Sequence, residues 1–133
     1  MVKHVLTFLG VFISSFLHSQ TGPAGVESSA DNVLWLKADK GTFSNAGTTA
    51  STAGGTVQQW NDQSGNNKHA IQLTAGLKPT WQTNAMNVFP AVRFDGNDDG
   101  ILSAAVTTSG TVTFFAVVRS SALSKTNPGI LQG

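Results

Sequence analysis

The chain contains no cysteine. That excludes disulfides and any thiolate metal site, so an exported fold must be held by its own core. Charge is scarce as well, at 11% of 133 residues. Beyond residue 19 the signs balance, seven basic against seven acidic. No basic excess remains to displace counterions, which argues against nucleic acid or an anionic membrane as partner. Helical periodicity is almost absent after the N-terminus, and no later stretch is apolar for long enough to cross a bilayer. Past residue 19 there is one Glu, Glu27, and one His, His69. A single His without Cys or a nearby carboxylate pair is a poor zinc site.

What is present begins with the order of a secretory signal. "MVKH" supplies a basic start, and "VLTFLGVFISSFL" (Val5 to Leu17) is an uncharged run of 13 residues. The small and polar "HSQTGPAG" follows. This is the sequence of n-region, h-region and cleavage site, and the apolar run is shorter than the roughly 20 residues of a spanning helix. Cleavage is expected after Ser19, so residues 1–19 form the signal peptide and His4 and His18 leave with it. The remaining chain is expected to be secreted or displayed at the cell surface, with no membrane insertion after signal removal.

Residues 20–133 carry turn clusters every 8 to 15 residues between short apolar runs, the pattern of an all-β sandwich or barrel. Strands are expected at Asn32–Ala38, Thr56–Trp60, His69–Leu73, Thr80–Gln82, Ala91–Asp95 and Thr111–Ser120. In Ala91–Asp95, Val92 and Phe94 are expected to face inward. The last strand, "TVTFFAVVRS", has the clearest pattern. Val112, Phe114, Ala116 and Val118 share one face and Phe115 and Val117 the other, as in a strand covered on both sides. Residues 39–56, small and polar, read as a long surface loop. The chain's last residues, "GILQG", read as a strand without its partner. Residues 20–133 are therefore expected to be the N-terminal part of a larger sandwich, and not to make a stable monomer alone.

Two stretches carry candidate chemistry. In "WNDQSGNNKHAIQ", Asp62 can accept backbone N–H groups of Ser64 or Gly65 in an Asx turn, and Gly65 and Asn66 can take positive φ. The stretch thus reads as a hairpin loop with Trp60 packed at the sandwich edge. Two alternatives are a sugar site with Trp60 as stacking platform and a Ser64/His69/Asp62 hydrolase triad, which lacks an oxyanion hole and a nucleophile elbow. In "FDGNDDG", Asp95, Asn97 and Asp99 before Gly100 match the first half of a calcium loop. The twelfth position is Val106 rather than Glu, so an EF-hand is excluded. A charged turn and a looser calcium loop both remain open.

Taken in order, "LWLKAD", "VQQWNDQSGNNKHAIQ", "FPAVRFDGNDDGIL" and "TVTFFAVVR" resemble the laminin-G-like branch of the concanavalin-A-like lectin/glucanase superfamily, as found in secreted bacterial proteins. The likeness covers residues 22–133 and rests on order and spacing. It implies an antiparallel jelly-roll sandwich, incomplete in this chain, and calcium bound by loop oxygens of Asp95, Asn97 and Asp99. The function it implies is a carbohydrate-binding or adhesion module whose partners are glycans or surface proteins. Trp60, Asp62 and Trp81 are then the ligand-binding candidates. Glucanases of this superfamily carry E-x-D-x-E on one strand, and glycoside hydrolysis needs two apposed carboxylates. No such pair is visible, and the adjacent Asp98 and Asp99 would point apart in an extended chain. A non-catalytic portion of a glycoside hydrolase and a ligand-free spacer remain the alternatives.

Overall fold

The computed structural model describes residues 32–107 and 109–120. The signal peptide, Glu27 and the C-terminal "GILQG" lie outside the described residues. Within them there is no α-helix. The elements are β1 (Thr42–Phe43), β2 (Gln59–Trp60), β3 (Ala70–Ile71), a 3₁₀ turn (Ala75–Leu77), β4 (Thr80–Met86), β5 (Phe89–Arg93) and β6 (Leu102–Ser103). They form two small antiparallel sheets, one ordered β1-β2-β3-β6 and the other the β4-β5 hairpin. The all-β expectation holds at that level, while the described strands do not close into a jelly roll.

Register decides which side of the larger sheet is inside. Thr42 pairs with Trp60, Trp60 with Ala70, and Ala70 with Ser103. Directly opposed residues share a face, and this row holds the buried Thr42 and Ala70. The alternate row, Phe43, Gln59, Ile71 and Leu102, faces outward and ends in two exposed apolar side chains.

The two sheets are stitched by residues 54–57. Gly54 N donates to Trp81 O, Trp81 N to Gly55 O at 2.8 Å, and Val57 N to Pro79 O at 2.7 Å. Val57 and Pro79 are fully buried at this seam. The core here is small, and Ser64, Asp62 and Ser51 share the interior with Val57 and Ala70. Hydrogen bonding must therefore supply much of the specificity, because each buried polar group needs a partner. None of the buried side-chain polar atoms among the described residues lacks one.

Several expectations need correction. Asn32–Ala38 is not a strand and makes only single bridges, Leu36 to Asp62 and Lys37 to Lys40. Its backbone is satisfied by other means: Trp35 N donates to the Asp62 carboxylate and Trp35 O accepts from Gln63 N. The 39–56 loop contains β1 and a turn organised by Asn45, whose Oδ1 accepts from the backbone of Thr48 and Thr49. Gly41 opens β1 with φ +82°. A Cβ there would lie 2.7 Å from Gln63 Nε2 and 2.9 Å from Asn61 Cβ, so only glycine fits. Phe94 lies beyond the end of β5 and is 43% exposed rather than inward.

The largest departure is Thr111–Ser120, which forms no strand and is exposed throughout. The alternation of its side chains is a local property. A strand also needs a second backbone alongside, and no described segment supplies one.

The expected Thr80–Gln82 strand instead extends to Met86, with an irregular register between Gln82 and Met86 where Asn84 takes φ +50°. Its hairpin to β5 turns at Asn87 and Val88, with φ +48° and +40°. Two consecutive positive φ values in a two-residue loop give a type I′ turn, which matches the strand twist. Asn suits the first position. Val is a strained occupant of the second, because a β-branched side chain crowds the backbone in the left-handed region.

Candidate functional site

The loop from Trp60 to His69 connects β2 to β3, whose pairing sets Trp60 opposite Ala70. Asp62 is the hub of this loop. Its Oδ1 accepts from Trp35 N and Ser64 N, both at 2.9 Å. Its Oδ2 accepts from Ser64 Oγ at 2.8 Å and Lys68 N at 3.0 Å. Burial raises the Asp62 pKa, but these hydrogen bonds from Trp35, Ser64 and Lys68 lower it by more, and the group stays below the ordinary carboxylate value. The Asx turn expected at Ser64 is present, and Gly65 has φ +95°. The second left-handed residue is Asn67, at φ +56°, rather than Asn66. Asn66 is turned to another use, its Nδ2 donating to Asn32 O at 3.0 Å and to Ser64 Oγ at 3.1 Å. The loop thereby grips residues 32–35 from two sides.

This geometry disposes of the hydrolase triad. Ser64 is fully buried, and its hydroxyl donates to Asp62 rather than to His69. His69 Nδ1 accepts from the backbone N–H of Asp62 at 3.2 Å. A nucleophilic serine must be accessible and hydrogen-bonded to its base, and neither condition is met.

Trp60 and Trp81 are half-buried and point their indole N–H groups at neighbouring carbonyls. Trp60 Nε1 donates to Lys37 O at 2.8 Å and Trp81 Nε1 to Ala38 O at 2.7 Å. Both rings are thus anchored to the same short segment, with their polar atoms satisfied inside the chain. Asp62 has both carboxylate oxygens engaged. Of the three ligand-binding candidates, the tryptophans keep their ring faces for contact, while Asp62 is committed to the loop. Trp35 adds an indole that sequence reading did not single out, with Lys37 Nζ 5.1 Å from its ring centroid, a cation–π contact.

The second constellation follows β5. Gly96, at φ +80°, reverses the chain after Asp95. Asp95 Oδ1 accepts from Asn97 N at 2.8 Å, and Asp95 N donates to Asp99 Oδ2 at 2.8 Å. The tight turn brings carboxylate oxygens of Asp95, Asp98 and Asp99 within 4.8 Å of one another. Adjacent Asp98 and Asp99 would diverge on an extended strand, but here the backbone is bent. Asn97 contributes differently, its Nδ2 donating to Asp95 Oδ2 at 3.2 Å. The acidic trio therefore includes Asp98, which sequence spacing passed over. The Asn97 backbone bond is the main influence lowering the Asp95 pKa, with the Asp98 and Asp99 amides and the Asn97 side chain adding to it against slight desolvation. A carboxylate held ionised in this way suits cation binding and not proton donation. Phe94, exposed, stands at the start of the same loop.

No family model, curated protein or solved structure matches this chain.

Proposed function

We propose that the chain is a secreted or cell-surface binding module that takes glycans, or surface proteins carrying them, through loops on a lectin-like β-sandwich of the laminin-G-like type. The observation that carries this reading is the 94–99 loop. An exposed aromatic ring, Phe94, adjoins three convergent carboxylates and an amide. A sugar needs both parts: an apolar face for its C–H groups and oriented polar atoms for its hydroxyls. The antiparallel sheets and the resemblance in motif order support the fold half of the reading.

Asp95, Asp98 and Asp99, with the Asn97 side chain, would hold calcium through hard oxygen ligands. Bound calcium would supply a positive centre for sugar hydroxyls. The ring faces of Trp60 and Trp81 are the second contact surface in this reading. A site with few protein ligands fits the affinity range of extracellular calcium modules, Kd about 10⁻⁴–10⁻³ M.

The test is calcium calorimetry and a glycan array on the full chain, beside Asp99→Ala, Asp98→Ala and Phe94→Ala. Expected are a calcium heat lost in both aspartate variants and glycan signals that fall about tenfold or more in all three, since tenfold is about 1.4 kcal/mol. A chain that binds no glycan with or without calcium sinks the reading. Glycan binding untouched by the three variants would move the site to the tryptophans.

A further inference from the structure

We propose that residues 112–118 are a self-association strand, which pairs antiparallel with the same segment of a second copy of this chain. The segment is "VTFFAVV", uncharged and free of proline and glycine. Phe115 is 92% exposed, Val117 86% and Phe114 70%. None of residues 111–118 makes a backbone hydrogen bond among the described residues. Open N–H and C=O groups on a flat apolar strand are a template for another strand. Natural edges are commonly blunted by inward charges, proline or a bulge, and this one has none of them.

Three observations favour a second copy as the occupant. Any strand is self-complementary when paired antiparallel about a two-fold axis, and such isologous contacts are the commonest in oligomers. With the axis at Phe115, that ring meets its own copy, Phe114 faces Ala116, Val112 faces Val118 and Thr113 faces Val117. Large then meets small on one face and an aromatic pair forms on the other, both favourable cross-strand arrangements. The nearest charge, Arg119, lies at the end of the segment, where its side chain donates to Ala85 O at 3.5 Å. This register sets it against Thr111, so no like charges are opposed. The area is also adequate. At about 200 Å² per aromatic ring the two phenylalanines expose roughly 300 Å², and the three valines roughly as much again. About 600 Å² per copy falls at the low end of specific interfaces, which bury about 1,200 Å² in total. The outward pair Ile71 and Leu102, with the exposed Leu73, supplies further apolar surface for a copy to cover.

The test is the mass of the full chain by light scattering across a concentration series, with a charge-swap control. Phe115→Lys and Phe115→Glu each set like charges against themselves at the two-fold axis. Because the side chain is exposed, neither change removes packing inside the chain, and circular-dichroism melts check that both variants remain folded. Expected are a concentration-dependent dimer for the wild type, monomers for each variant alone, and recovery of the dimer when the two are mixed in equal amounts. A wild type that stays monomeric overturns the proposal. So does association unaffected by the substitutions, or a mixture that remains monomeric: the segment would then be covered by other residues of its own chain or left bare.

Discussion

Replacing Asp62 tests whether hydrogen bonding, rather than apolar burial, holds this fold. The carboxylate accepts four hydrogen bonds, from Trp35 N, Ser64 N, Ser64 Oγ and Lys68 N. Hydrogen bonds to charged groups contribute about 1.5–3 kcal/mol each when deleted singly, but bonds to one hub are not additive. Asp62→Ala leaves four donors without their acceptor. Ser64 is fully buried, so its N–H bears most of the desolvation cost, about 1–3 kcal/mol. Trp35 and Lys68 are half-buried, and water recovers part of their loss. The expected total is about 3–5 kcal/mol, a large share of the roughly 5–15 kcal/mol by which domains are stable. Asp62→Asn is milder. Its carbonyl oxygen keeps Trp35 N and Ser64 N, and its amide can donate to Ser64 Oγ, but the amide meets the Lys68 N–H donor to donor. About 2 kcal/mol is expected, near 10 °C in Tm for a domain of this size. Ser64→Ala removes one bond to Asp62 and the acceptor for Asn66, and should cost about 1–2 kcal/mol. Thermal melts and urea midpoints should rank Asp62→Ala as most damaging, then Asp62→Asn, then Ser64→Ala. An Asp62→Ala variant within about 0.5 kcal/mol of wild type, the usual scatter of surface substitutions, would refute the hub.

Acid should act through the same residue. The folded pKa of Asp62 lies below its ordinary value of 3.8, so its contribution is complete above that value and is lost as pH falls through the folded pKa. The Tm gap between wild type and Asp62→Asn should therefore be widest at neutral pH and narrow below pH 3.8; a gap that widens with acid has the wrong sign. At the β4–β5 turn, Val88→Gly should stabilise. It relieves the roughly 1–2 kcal/mol of left-handed strain, with about 0.5–1 kcal/mol returned as unfolded-state entropy, for a net gain of about 0.5–1 kcal/mol. Val88 is 79% exposed, so little burial is lost. A lower urea midpoint for this variant would contradict the type I′ reading.

The β class, the turn at Asp62 and the acidic loop after Phe94 were legible in the sequence because they rest on local rules. Alternation by twos, Asx turns and glycine's left-handed freedom act over a few residues, and the β2–β3 hairpin follows from them directly. Missing from that reading was everything that depends on what lies alongside. The carboxylate of Asp62 reaches 27 positions back to Trp35 N, so residues 32–38, alternating like a strand, are held by a side chain instead of a ladder. Asp98 joined the acidic trio because Gly96 bends a chain that adjacency alone would leave extended. Trp60 and Trp81 resembled a sugar platform by type, and tertiary placement set both indole N–H groups on the carbonyls of Lys37 and Ala38. Residues 111–120 mark the division most plainly. Sequence determined which side chains share a face, because that alternation is built into the extended backbone. Whether they form a strand was decided by the tertiary structure, because a ladder hydrogen bond needs a second backbone within reach.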